Sequence, residues 1–156
     1  MDDYARDLNQ AMVRVYDLLS RLEEQMVNDL SNMNLSIREL HMIEYISESE
    51  EGRTLSEIAH HTGITPPSVT IAIQKLQKRG YVEKVKKSSD GRHVHVMLTR
   101  MGQKINSAHK YYHLKMMRKV SGTLSPMEKD ALLSGLTKLA DFFDSTIKNS
   151  KRNSYL

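Results

Sequence analysis

Between Thr54 and Thr99 the chain passes from helical to alternating periodicity with a turn signal at each joint, and few folds hold two short helices and a hairpin in so short a span. Thr54 followed by Glu57 is a capping box: the threonine oxygen takes a free backbone N–H of the first turn and the glutamate reaches back. Leu55, Ile58 and Ala59 give that helix an inward face, and Gly63 can end it in the left-handed conformation. Thr65 and Pro66 then supply a cap residue and a proline at the first helical position, where its missing N–H costs nothing. A second helix is predicted to start there.

In this second helix Val69, Ala72, Ile73 and Leu76 recur at helical spacing and are expected to pack on the first. Thr65, Ser68, Thr70, Ile71, Gln74, Lys75 and Lys78 are left for the entry and the outward face. Hydroxyls bond phosphates or base edges, Gln bonds adenine bidentately, Lys reaches phosphate or guanine, and an isoleucine can touch a thymine methyl. Taken alone, such a face also fits an ordinary solvated surface. Gly80 then closes the helix, Tyr81 to Lys87 has strand character, Ser88 to Gly91 is a turn cluster, and Val94, Val96 and Leu98 alternate with polar or softer residues. Lys86, Lys87 and Arg92 sit at the tip of this hairpin, where a basic finger can follow a phosphate backbone or enter a minor groove. Helix, turn, helix and ribbon in this order predict a winged helix-turn-helix that binds DNA.

The run Leu76-x-x-x-Gly80-Tyr81-Val82-Glu83-Lys84, then Asp90-Gly91-Arg92, then Val96-x-Leu98-Thr99-x-x-Gly102 resembles the signature of the MarR family of bacterial transcriptional regulators. The resemblance extends over nearly the whole chain. It implies that the helix matching Thr65 to Arg79 is the recognition helix, that Arg92 contacts the minor groove, and that Asp90 steadies the wing tip. Ile71 stands where many members carry arginine or another polar residue, so the resemblance does not fix which bases this helix reads.

Charge agrees with that placement. Thr54 to Thr99 holds seven Lys or Arg against three acids, a net of 7 − 3 = +4, and the remaining 23 − 7 = 16 basic and 19 − 3 = 16 acidic residues cancel. The whole excess therefore lies in the proposed DNA-binding unit, as an electrostatic footprint should. With 39% hydrophobic residues in 156, the chain can bury the core of one domain. Neither a run of about 18 apolar residues nor a secretory signal is present, which predicts a cytoplasmic protein without a membrane partner. Zero cysteines exclude thiol redox switching, disulfides and thiolate metal sites.

Long helices are expected on both sides. Leu8, Met12, Val15, Leu19, Leu22 and Met26 repeat at alternating steps of four and three, a heptad-like seam from Tyr4 to about Met33. Ser36 with Glu39 is a second capping box, opening a helix with Ile37, Leu40, Ile43 and Ile46 inward. Thr99 can cap a further helix with Met101, Ile105, Ala108, Tyr112 and Met116 inward, until Ser121-Gly122 breaks it. Ser125 and Glu128, with Pro126 between them, open the last, carrying a stripe of Leu132, Leu136, Leu139, Phe143 and Ile147. The fold class expected is mainly α with a small β-wing. Residues 35–99 form the DNA-binding region, 1–34 and 100–148 the helical dimerisation region, and 149–156 a frayed tail. Stripes of this extent predict a homodimer, as the family resemblance also implies, with two recognition helices about one turn of B-DNA apart on a pseudo-palindromic operator.

The effector is less constrained. His109 and His113 lie four apart on one helix, a spacing that can chelate a metal and is also ordinary helix surface. The zinc-dependent MarR repressors of zinc uptake place a glutamate on the first helix, a histidine on the second and a His-x-x-x-His pair on the fifth; the matching positions are Glu23, His41, His109 and His113. Those regulators also use a cysteine, absent here. The segments Leu35 to Ile46 and Val69 to Phe143 resemble the FabT group of the family equally well, in Ser36-Ile37-x-Glu39-x-His41, His109-Lys110-x-x-His113 and Gly135-Leu136-Thr137-x-Leu139. That resemblance implies repression of fatty-acid synthesis genes and response to a long acyl chain on acyl carrier protein, with Met12, Met26, Met42, Ile43, Met116 and Met117 as an adaptable lining. The same methionines suit a plain core. A loose site for small aromatic ligands is a third possibility in such a family. An enzyme is not expected: the residue after His109 is Lys110 instead of a glutamate base, and no phosphate loop, nucleophile elbow or catalytic cysteine exists.

Overall fold

The structure, a computed structural model, describes residues 3–29, 35–86 and 94–153, with side chains for 3–26, 35–86 and 94–149. Two compact units divide it, Met1–His109 and Lys110–Leu156.

In the first unit, α1 (Asp3–Asp29) leads to α2 (Ile37–Ser47), β1 (Arg53–Thr54), α3 (Leu55–Thr62), α4 (Pro66–Lys78), β2 (Val82–Lys86), β3 (Val94–Leu98) and the start of α5 (Arg100–Gly122). Both expected capping boxes form: Ser36 and Glu39 bond reciprocally at the head of α2, Thr54 and Glu57 at the head of α3. Gly63 ends α3 with φ +68° in the left-handed region. The core is built from Leu40, Met42, Ile43 and Ile46 of α2, Ile58 of α3, Val69, Ile73 and Leu76 of α4, and Val82 and Val96 of the sheet. These come from three helices and two strands, so the sheet packs on α2, α3 and α4 as one core.

The sheet corrects the expected two-stranded ribbon. Its order is β1-β3-β2, all antiparallel, with Arg53 opposite Val96 on one side and Lys84 opposite Val96 on the other. A strand of two residues shows no alternation, so only its partner reveals it. Val96, flanked on both edges, is fully buried.

The start of α5 is fastened to the wing through Thr99. Its hydroxyl donates to the Gly80 carbonyl at 2.6 Å and accepts the Gly102 N–H at 3.1 Å, while its backbone N–H donates to the Tyr81 carbonyl at 3.1 Å. This turns the inward face by one residue. Gly102, Ile105, Asn106 and His109 are buried, whereas Met101 is 48% exposed and Ala108 is also exposed, against the expected register. A glycine is the only residue that fits under the Tyr81 carbonyl, and that contact outweighs the apolar pattern. On α1 the seam holds in part: Leu8, Met12 and Leu19 are half-buried and Met26 is buried, but Val15 is 63% exposed.

The second unit contains the remainder of α5 and α6 (Pro126–Asn153). The third capping box forms, with the Ser125 N–H donating to Glu128 at 2.8 Å. Leu132, Leu136, Phe143 and Ile147 are all exposed on α6, and Leu139 is half-buried. The helix runs on to Asn153, past Asn149 where a polar tail was expected, since Lys, Asn and Ser carry no helix breaker. No helix among the described residues is long and apolar enough to cross a membrane.

Candidate nucleic-acid interface

Helix α4 has two unlike faces. Val69, Ile73 and Leu76 are completely buried, which pins its inner side and leaves Ser68, Ile71, Gln74, Lys75 and Lys78 exposed together. Ile71 is 55% exposed, an apolar side chain in the middle of an otherwise polar face. Thr70 is half-buried and donates back to the Pro66 carbonyl at 3.0 Å, so its hydroxyl proton is already used. Its methyl group and oxygen lone pairs are what it can offer.

The entry to α4 differs from the expected cap. Thr65 has the extended backbone of a cap residue but its side chain caps no backbone N–H of the helix; its hydroxyl instead lies 2.9 Å from that of Ser68. Pro66 and Pro67 fill the first two helical positions, so two of the usual free N–H donors do not exist there. The two hydroxyls form the polar end of the helix instead. At the other end Arg79 and then Gly80, with φ +78°, turn the chain into Tyr81 and β2.

On the wing, Lys84 and Lys86 are exposed along β2. Lys87, Asp90 and Arg92 lie outside the described residues. The exposed Lys75, Lys78, Lys84 and Lys86 of α4 and β2 supply part of the positive charge counted between Thr54 and Thr99.

Two features of this region have no mark in the sequence. Arg79 forms an ion pair with Glu39 of α2, across forty positions. Burial raises the Glu39 carboxyl, and the bonds from Ser36 and from Arg79 more than offset it, holding it below the ordinary value of 4.5. The Tyr45 ring also stacks on His61 at 3.7 Å between centroids, with the Arg53 guanidinium 4.5 Å over the tyrosine. This ties α2, β1 and α3 together.

The expected effector and metal residues are distributed over both units. Met26, Met42 and Ile43 are buried core of the first unit and Met12 is half-buried; Met116 is half-buried and Met117 is 48% exposed in the second. A cleft of about 1090 Å³ lies between α1 and α2, lined by Tyr16, Ser20, Arg21, Glu23, Ser36, Arg38 and His41 among others, and by none of those six residues. Charged and hydroxyl side chains make up most of its lining residues, so no apolar stripe in the sequence marks it. Of the proposed zinc set, Glu23 approaches His41 at 3.8 Å, and the His41 and His109 rings are 5.8 Å apart. His109 Nδ1 is also 3.5 Å from Glu44, a carboxylate not expected in the set. His113 belongs to the second unit. Among the described residues no three such side chains converge as a metal shell requires.

Residues 33–93 match the family model described as MarR family. The chain is similar to Streptococcus pneumoniae FabT, solved in complex with DNA: 29% identity, TM-score 0.85, covering 92% of this chain and 99% of that one. Two Bacillus subtilis proteins, the uncharacterised HTH-type transcriptional regulators YhjH and YfiV, are 31% identical over 85 residues and 32% identical over 99. The matches cover 54% and 63% of this chain, but only 48% and 59% of theirs, so the chain spans about half the length of these curated relatives. The buried and exposed faces of α4, the three-stranded sheet and these likenesses agree: residues 33–93 of this chain are a MarR-family helix-turn-helix region.

Proposed function

We propose that this protein is a cytoplasmic, homodimeric repressor that binds duplex DNA at a pseudo-palindromic operator, with α4 in the major groove and the wing on the flanking backbone or minor groove. The observation that carries this is the face of α4, where Ser68, Gln74, Lys75 and Lys78 stand exposed over a fully buried Val69, Ile73 and Leu76. Likeness to a FabT chain solved with DNA supports it. Ser68, Lys75 and Lys78 position the helix on phosphates, Gln74 reads a base edge, and Ile71 meets a thymine methyl. Occupying the operator excludes polymerase.

The FabT-like motifs favour fatty-acid synthesis genes as targets, with a long acyl chain or its acyl carrier protein as effector. Binding that changes the separation of the two recognition helices changes operator affinity by the same free energy. A second reading, a zinc-responsive repressor of metal-uptake genes, draws on the approach of Glu23 to His41. Chelator competition with a His109→Ala, His113→Ala double mutant distinguishes them: tight zinc binding lost in the mutant favours metal, and weak binding unchanged by it favours the acyl chain.

DNA binding is tested by titrating duplex at several salt concentrations. The affinity is expected to fall steeply as salt rises, because several phosphates are neutralised. Gln74→Ala and Lys75→Ala should lower affinity mainly for the preferred sequence, and Arg92→Ala for most sequences. Equal losses on preferred and random DNA for all three would refute this assignment.

A further inference from the structure

The Glu39 carboxylate serves two elements at once. Its Oε2 accepts the Ser36 backbone N–H at 2.9 Å and hydroxyl at 3.2 Å, closing the first turn of α2. Its Oε1 accepts from the Arg79 guanidinium, whose Nε donates in turn to the Lys75 carbonyl at 3.2 Å in the last turn of α4. The side chains of Arg79 and Glu39 are only 26% and 14% exposed, so the pair is weakly screened. A continuous path of directional bonds thus runs from the head of α2 to the tail of α4.

We propose that Ser36, Glu39 and Arg79 are positioning residues of the recognition helix, a latch that sets where Lys75 and its neighbours stand and makes that placement sensitive to the α1–α2 cleft. This rests on the DNA-binding reading. Val69, Ile73 and Leu76 hold α4 by apolar contacts, which are strong but non-directional and tolerate small rotations or slides. Reading base edges does not tolerate them, because hydrogen bonds weaken steeply with angle. The ion pair supplies the missing direction at the end of the helix nearest Lys75 and Lys78. Ser36 lines the cleft between α1 and α2, as do Arg38 and His41 of the same turn region. A cleft ligand that takes the Ser36 donors removes one of the two anchors of Glu39, and the other anchor is Arg79. Occupancy of the cleft and placement of α4 are therefore linked through one carboxylate.

Glu39→Gln separates the cap from the latch, since glutamine is accepted at the third position of a capping box but carries no charge for Arg79. Wild type, Glu39→Gln, Arg79→Gln and the double mutant are titrated by fluorescence anisotropy against a duplex that the wild type selects from a random pool, and against a scrambled duplex. Each single mutant is expected to lose about tenfold on the selected duplex, the coupling typical of contacting groups, and nothing on the scrambled one. The double mutant should lose no more than the worse single mutant. Arg79→Lys, which keeps a cation for Glu39 but has no Nε–H for the Lys75 carbonyl, should also lose selectivity, and it carries the test if thermal melting shows the glutamine variants unfolded. Wild-type affinity in the single mutants, losses that multiply, or equal losses on both duplexes would overturn the latch while leaving the DNA-binding reading in place. A wild-type chain that selects no duplex would overturn that reading and the latch with it.

Discussion

Single atoms decide several positions here. A Cβ on Gly102 would stand 2.1 Å from the Tyr81 carbonyl oxygen, a backbone atom that cannot swing aside. Gly102→Ala is expected to cost about 1–3 kcal/mol by overpacking, read as a lower urea midpoint. Gly63 has open space around it but φ +68°, so Gly63→Ala should cost about 1 kcal/mol by backbone strain alone. The carboxyls of the capping boxes make a separate prediction. Bonds from the Thr54 backbone and hydroxyl hold the Glu57 carboxyl below its ordinary 4.5, and Glu39 is held low by Ser36 and Arg79 against its burial. Both pKa values are lower folded than unfolded, so their stabilisation is fully present above about pH 4.5 and is lost as pH falls through the folded values. Denaturant melts between neutral and acid pH should show stability declining below pH 4.5, with a shallower decline in Glu39→Gln.

At the scale of elements, α4 is held by burial and exposed for function on opposite sides, so its two faces should respond to different assays. Leu76→Ala, at a fully buried position, is expected to cost about 2–5 kcal/mol in denaturant melts. Gln74→Ala should leave stability within about 0.5 kcal/mol and change only DNA selectivity. A loss of stability in Gln74→Ala comparable to that in Leu76→Ala would contradict this division. Most element boundaries were legible from local chemistry: the capping boxes at Ser36, Thr54 and Ser125, the proline at the start of α4 and the left-handed Gly63 are bonds within a turn, readable at fixed offsets. The register of α5 was not. Its inward face follows Gly102 under Tyr81, a contact between segments, and the apolar pattern through Met101 and Ala108 pointed one residue away.

The whole molecule carries more apolar surface than one chain covers. Leu133, Leu136, Phe142 and Ile147 of α6 are each more than half exposed, as are Val13, Val15 and Tyr16 of α1. Leaving such side chains in water forgoes about 25 cal/mol for each Å² of apolar area, which favours association. Light scattering should give a dimer at micromolar concentration, and Leu136→Glu with Phe143→Glu should give a monomer with much weaker operator binding. A monomeric wild type would remove the proposed pairing of two recognition helices. Local spacing was enough to specify the helices, their caps, the basic segment and the winged architecture, because each depends on residues within a few positions of one another. The third strand, the α1–α2 cleft and the Glu39–Arg79 pair came only with folding. Each joins groups far apart in the chain, and the energy of such a contact depends on distance in space, which periodicity along the sequence does not record.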